Sequence, residues 1–67
     1  MEYRTAEQFE TIAENCINGN WKDAAKNCIE YGFYANDLIN HQEQTNLFDD
    51  LTDLAILAEL AAELRNK

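Results

Sequence analysis

Residues 5–32, TAEQFETIAENCINGNWKDAAKNCIEYG, decide the fold of this 67-residue chain. Apolar side chains recur along this stretch at spacings of three and four residues, which is the period of an α-helix with one buried face. An Asn-Gly pair at residues 18–19 divides the pattern, because glycine readily adopts the left-handed conformation that ends a helix. The sequence therefore predicts two helices. Their expected core-facing residues are Phe9, Ile12, Ala13, Cys16 and Ile17 in the first helix, and Trp21, Ala24, Ala25, Cys28 and Ile29 in the second.

Capping residues predict where these two helices begin and end. Thr5 and Gln8 have the spacing of a capping box, in which each side chain bonds the backbone N–H of the other residue. The first helix is therefore expected over about Ala6–Ile17. Asn20 is the expected N-cap of the second helix, and Gly32 is expected to end it.

The segment after Gly32 has a weaker pattern. Its apolar residues favour a third, shorter helix over residues 33–41, and a second helix that continues through Gly32 is the alternative. Residues 41–45, HQEQT, are polar throughout and are expected to form a connection. At the other end of the chain, we expect residues 1–5 to be frayed.

The last helix is predicted over residues 47–65, after a capping signal formed by Asn46 and Asp49. Its apolar surface is wider than the single stripe that a helix of a small bundle needs. A seam of coiled-coil spacing contains Leu47, Leu51, Leu54, Ala58 and Ala61, and it is widened by Ile56, Leu57, Leu60 and Leu64. We expect this helix to be buried on two sides, centrally within the fold. Burial against a second copy of the chain, as a homodimer, is the alternative.

These patterns predict an all-α fold, a small bundle of three to four helices with a long C-terminal helix, in a single domain spanning residues 1–67. The hydrophobic content of 46% is that of a folded protein. The sequence has neither the basic-then-apolar pattern of a signal peptide nor a membrane-spanning segment, so we expect a cytoplasmic protein. Cys16 and Cys28, the two cysteines, are expected to be reduced and buried.

The charge balance limits the kind of partner. Thirteen Asp and Glu residues against five Lys and Arg give a formal net charge of −8. A surface of this sign does not neutralise phosphates, so we expect no direct binding to nucleic acid and no binding to an anionic membrane. It attracts basic protein surfaces and speeds association with them. Solubility alone is the alternative explanation of the acidity.

Few residues are suited to catalysis or metal binding. His41 is the only histidine, the chain has no serine, and we expect this imidazole to lie at the surface. Cys16 and Cys28 lie on apolar stripes, where thiols are inert, and a zinc ion held by them and His41 would lack a fourth ligand. Residues 49–60 begin like a calcium loop but lack its glycine and its closing glutamate. The sequence predicts no enzyme, no metal and no cofactor.

Two groups of carboxylates are candidates for binding a protein partner. They are Glu7, Glu10 and Glu14 in the first helix, and Asp49, Asp50 and Asp53 at the start of the last one. The glutamates are three and four residues apart, which places them about 5–6 Å from one another on one helical face. A solvated face, with help from the helix dipole for Glu7 and Glu10 only, is the alternative for the glutamates. Capping and compensation of the helix dipole are the alternative for the aspartates.

With its small size, its charge of −8, the glutamate row, the aspartate cluster and no enzyme motif, the chain resembles the small acidic inhibitors encoded by phages and other mobile elements, anti-CRISPR proteins among them. The resemblance implies an inhibitor that covers the basic nucleic-acid-binding surface of a host or defence protein, in some cases as a DNA mimic, in the host cytoplasm. The alternative function is a helical interaction module or homodimeric subunit that acts through Leu57, Leu60 and Leu64.

Overall fold

The computed structural model describes residues 4–67, and within them the chain forms four α-helices and no strand. The helices are α1 (Ala6–Ile17), α2 (Trp21–Tyr31), α3 (Ala35–Thr45) and α4 (Leu51–Arg65). The predicted all-α fold is confirmed, and α1 has the predicted boundaries. The expectation of a frayed N-terminus lies outside the described residues for positions 1–3. Arg4, by contrast, makes a 3.7 Å ion pair with Asp37 of α3.

Local capping explains where α1 begins and where α2 ends. The Thr5 hydroxyl accepts a hydrogen bond from the backbone N–H of Gln8, and the Gln8 side chain accepts one from the N–H of Thr5, both at 3.1 Å. This is the predicted capping box. Gly32 ends α2 in the left-handed conformation, with φ of 77°, so the alternative in which α2 continues through this residue is wrong. Asn20 precedes α2 but makes no side-chain capping bond.

The third helix is longer than predicted. Residues 41–45 are its last turns rather than a polar connection, so that prediction is wrong. Leu38 and Gln42, one turn apart, are both buried, which gives this polar segment an inner face. The Thr45 hydroxyl donates a 2.7 Å hydrogen bond to the carbonyl oxygen of His41 within the same turn. Asn46 then ends α3 with a left-handed φ of 56°.

The start of α4 is also corrected by the structure. The helix begins at Leu51 and not at residue 47, and its N-cap is Asp50, whose carboxylate accepts a 2.9 Å bond from the N–H of Thr52. Leu47 and Phe48 belong to the preceding loop, yet Phe48 is buried in the core. Apolar residues ahead of a helix that pack inward from the loop look, in sequence, like the first turn of the helix itself.

The helices pack as a closed group around one core. Both α1 and α4 pack chiefly against α2 and α3, so α4 is covered on two sides within the chain, as expected. The Phe9 ring lies 6.1 Å from the Phe33 ring and 5.6 Å from the Phe48 ring, measured between centroids. Aromatic rings from α1 and from two connections therefore meet in the middle of the bundle.

Some residues predicted to face the core are exposed instead. Ile17 and Ile29, in the last turns of α1 and α2, are exposed to solvent. On α4, Leu51 and Ile56 are exposed by 67% and 41%, whereas Leu57 is fully buried. The wide apolar surface of α4 is thus only partly used inside the fold.

Candidate functional site

The glutamate row lies on the outward face of α1. Glu7, Glu10 and Glu14 are all exposed, on the side of the helix opposite its buried residues. Among residues 4–67, the only ion pair joins Arg4 to Asp37, so none of the three carboxylates has a cationic partner there. The last turn of α1 also contains no basic residue. The row is therefore an uncompensated strip of negative charge.

The dimensions of the row follow from helix geometry. From Glu7 to Glu14 the axis advances about 10 Å, with neighbouring carboxylates on the row about 5–6 Å apart at their Cβ atoms. Close to its N-terminal end is a shallow polar depression lined by Thr5, Glu7, Gln8 and Thr11. The Thr11 hydroxyl donates a 3.2 Å bond to the backbone carbonyl oxygen of Glu7.

The aspartate cluster is not a uniform acidic patch. Asp49 and Asp50 are exposed, but the Asp50 carboxylate is occupied in capping α4. Asp53 is half-buried, and it lies near enough to Cys16 for its charge to raise the pKa of that thiol. The capping alternative is therefore confirmed for Asp50. Of the three aspartates, only Asp49 is both fully exposed and without a structural bond.

Both cysteines are free and buried, as predicted. The pKa of Cys16 is raised to about 12, chiefly by burial and to a smaller extent by the neighbouring Cys28 and Asp53. Burial also raises the pKa of Cys28 to about 11, an effect opposed by the nearby Arg65 guanidinium. Because the thiolate is the nucleophile, both side chains are unreactive at neutral pH.

His41 is not at the surface, and that prediction is wrong. Its ring is half-buried and lies 5.4 Å from the Phe9 ring and 5.2 Å from the Phe33 ring, between centroids. Its Nδ1 atom is buried and has no hydrogen-bond partner in the described part of the chain. The imidazole therefore packs as part of the aromatic core.

Across residues 4–67, no three His, Cys, Asp or Glu side chains are grouped so as to hold a metal ion.

Of the three leucines of the alternative binding face on α4, only two keep exposed surface. Leu57 is fully buried, whereas Leu60 and Leu64 are partly buried against the core. Sequence reasoning missed a different apolar feature, a groove of about 350 Å³ between α3 and α4. Its walls include Ile39 and Leu51. The excess of apolar residues on α4 was the sequence signal for this groove. The distance between α3 and α4, however, cannot be predicted from the sequence of either helix.

In residues 4–67, every helix is too short or too polar to cross a lipid bilayer. Comparison with protein families, curated proteins and solved structures finds no match to this chain.

Proposed function

We propose that this protein is an acidic inhibitor that binds the basic nucleic-acid-binding surface of a host or defence protein in the cytoplasm. One observation carries the proposal: Glu7, Glu10 and Glu14 form an exposed row without an ion-pair partner among the described residues. Like charges at these spacings weaken a helix slightly. A basic partner surface would turn this repulsion into attraction.

The proposed partner follows from the spacing and the sign of the charges. Carboxylates about 5–6 Å apart resemble the succession of phosphates along a nucleic-acid strand, so Lys and Arg side chains that bind phosphates suit them. A net charge of −8 adds long-range attraction to such a surface and raises the association rate. Asp49 is exposed and adds to this field, whereas Asp50 and Asp53 contribute chiefly to capping and to the packing of α4. The protein then competes with nucleic acid as a mimic of its charge.

The test begins with a triple variant, Glu7→Gln, Glu10→Gln and Glu14→Gln, which removes three charges and keeps the size of each side chain. The matched control is Asp23→Asn, Glu30→Gln and Glu63→Gln, which removes three exposed charges from α2 and α4. Each protein is immobilised and used to capture proteins from a nuclease-treated bacterial lysate at low salt. Captured nucleic-acid-binding proteins are then purified and titrated against the wild type and both variants.

We expect the α1 variant to lose roughly 1 kcal/mol of binding free energy for each carboxylate desolvated in the complex, and the control to lose much less. Wild-type protein should displace DNA or RNA from the captured partner, and added salt should weaken this competition. Equal losses in both variants would show that net charge alone drives binding. Capture of partners that still bind nucleic acid in the presence of this protein would argue against inhibition.

A further inference from the structure

The groove between α3 and α4 is an apolar surface that the fold leaves open. Leu38 and Leu54 form its floor, and at most 5% of each residue is exposed. Ile39 and Leu51 form its walls and are exposed by 49% and 67%. Alanines at positions 35, 55 and 58 also line the groove, and their small side chains leave space between the larger ones.

Both ends of the groove are held by specific contacts. At one end, the side-chain amide of Gln42 in α3 bonds the backbone N–H and C=O of Phe48, in the loop that leads to α4. At the other end, Arg65 of α4 lies 4.1 Å above the centre of the Tyr34 ring, next to the start of α3, and donates to the carbonyl oxygen of Phe33. A groove fixed at both ends is preorganised, which lowers the cost of binding.

Between residues 35 and 64, the segment that forms the groove, the chain carries charge of one sign only. Residues 35–64 contain seven acidic residues and no Lys or Arg, namely Asp37, Glu43, Asp49, Asp50, Asp53, Glu59 and Glu63. Glu43 lines the groove itself and is exposed. Glu59 lies one helical turn beyond Ala55, on the same side of α4, and is also exposed. The apolar surface is therefore bordered by the Glu43 and Glu59 carboxylates, which have no ion-pair partner among residues 4–67.

From this combination we infer that the groove binds a basic amphipathic helix of a partner protein. The α3 residues that line it run from Ala35 to Glu43, over which the helix axis advances about 12 Å, slightly more than two turns. Apolar side chains of the partner at positions i, i+3 or i+4, and i+7 would contact Ile39, Leu51 and Leu54, with Lys or Arg beside Glu43. A second copy of this chain suits the groove poorly, because each copy brings a net charge of −8. The inference is independent of the acidic face on α1.

The probe for this inference is a synthetic Leu/Lys peptide of about 14 residues with leucine on one helical face. Two further peptides serve as references. One has glutamate in place of lysine, and the other has the Leu/Lys composition in a scrambled order without an apolar face. Binding of each labelled peptide to the protein is measured by fluorescence anisotropy.

The protein variants separate the groove from the rest of α4. Leu51→Ser removes an exposed groove wall, and Glu43→Lys reverses the charge at its border. Ile56→Ser is the matched control, because Ile56 is an exposed apolar residue of α4 that does not line the groove. We expect Leu51→Ser and Glu43→Lys to weaken Leu/Lys peptide binding at least about fivefold, and Ile56→Ser to change it less than about twofold.

Several results would overturn the inference. They are failure of the Leu/Lys peptide to bind, equal binding of the scrambled peptide, and equal effects of Leu51→Ser and Ile56→Ser. A concentration-dependent dimer in sedimentation that Leu51→Ser abolishes would assign the groove to a second copy instead. The α1 triple variant should keep its affinity for the amphipathic peptide, so failure here leaves the acidic-face proposal unaffected.

Discussion

At the scale of single residues, Cys16 and Cys28 show how the core controls chemistry. Their pKa values of about 12 and about 11 are raised chiefly by burial, from an ordinary value of 9.0. The unfolded chain therefore releases these two protons at lower pH than the folded protein does. Their contribution to stability is complete below about pH 9 and is lost as the pH rises towards the folded pKa values.

We expect this linkage to appear in the pH dependence of urea unfolding. The double variant Cys16→Ala and Cys28→Ala should be less stable than wild type at neutral pH, by about 1 kcal/mol for each cavity. The difference in unfolding free energy between the two proteins should narrow between about pH 9 and pH 10.5, because only wild type loses the thiol contribution. All other side chains are the same in both proteins, so their effects cancel in the comparison. A difference that stays constant with pH would contradict the prediction.

His41 illustrates why single residues were misplaced by sequence reasoning. Its neighbours at positions 40, 42 and 43 are Asn, Gln and Glu, which suggests a polar surface. Its ring nevertheless packs on Phe9 and Phe33, which are distant in sequence. An imidazole has apolar faces, so a position between two phenyl rings suits it when its helix turns that way. That orientation depends on where α3 begins, which the sequence pattern did not predict.

At the scale of helices, the boundaries of α1 could be predicted from local sequence, whereas those of α3 and α4 could not. For α1, the capping box and the apolar stripe both lie within the helix, and its predicted boundaries are confirmed. For α3 and α4, the boundaries depend on a contact across six residues, between Gln42 and Phe48. The acidic row on α1 needs only helical periodicity to be located. The groove needs the distance between α3 and α4, which no local pattern contains.

The Gln42 amide joins α3 to the loop before α4, and we expect Gln42→Leu to be strongly destabilising. The substitution keeps an apolar stem but removes the donor to the Phe48 carbonyl oxygen, at 2.7 Å, and the acceptor of the Phe48 N–H, at 2.9 Å. Two buried backbone groups then lack partners, at a cost of roughly 2–4 kcal/mol in the free energy of unfolding. Gln44→Leu is the control, because Gln44 is exposed in the same helix. Similar urea midpoints for the two variants would show that the Gln42 bonds contribute little.

At the scale of the whole molecule, the fold must tolerate its own charge. A 67-residue chain buries a small core and has little stability to spare. Repulsion among the charges that make up a net −8 opposes the compact state. Among residues 4–67 a single ion pair, between Arg4 and Asp37, offsets it directly. We propose that a basic partner compensates this charge, as solubility alone does not.

This balance predicts that salt stabilises the protein while it weakens the proposed complex. Raising NaCl from about 10 mM to about 200 mM shortens the screening length, reduces the self-repulsion and should raise Tm by about 3 °C. The Glu7, Glu10 and Glu14 triple Gln variant should start with a higher Tm at low salt and respond less, because its row is already neutral. The triple variant on α2 and α4 removes the same net charge without a continuous row, so its gain at low salt should be smaller. Calorimetry of the three proteins at both salt concentrations measures these differences. A Tm that falls with salt in wild type would mean that attractive charge pairs dominate the fold, and the row on α1 would then need no external partner to explain it.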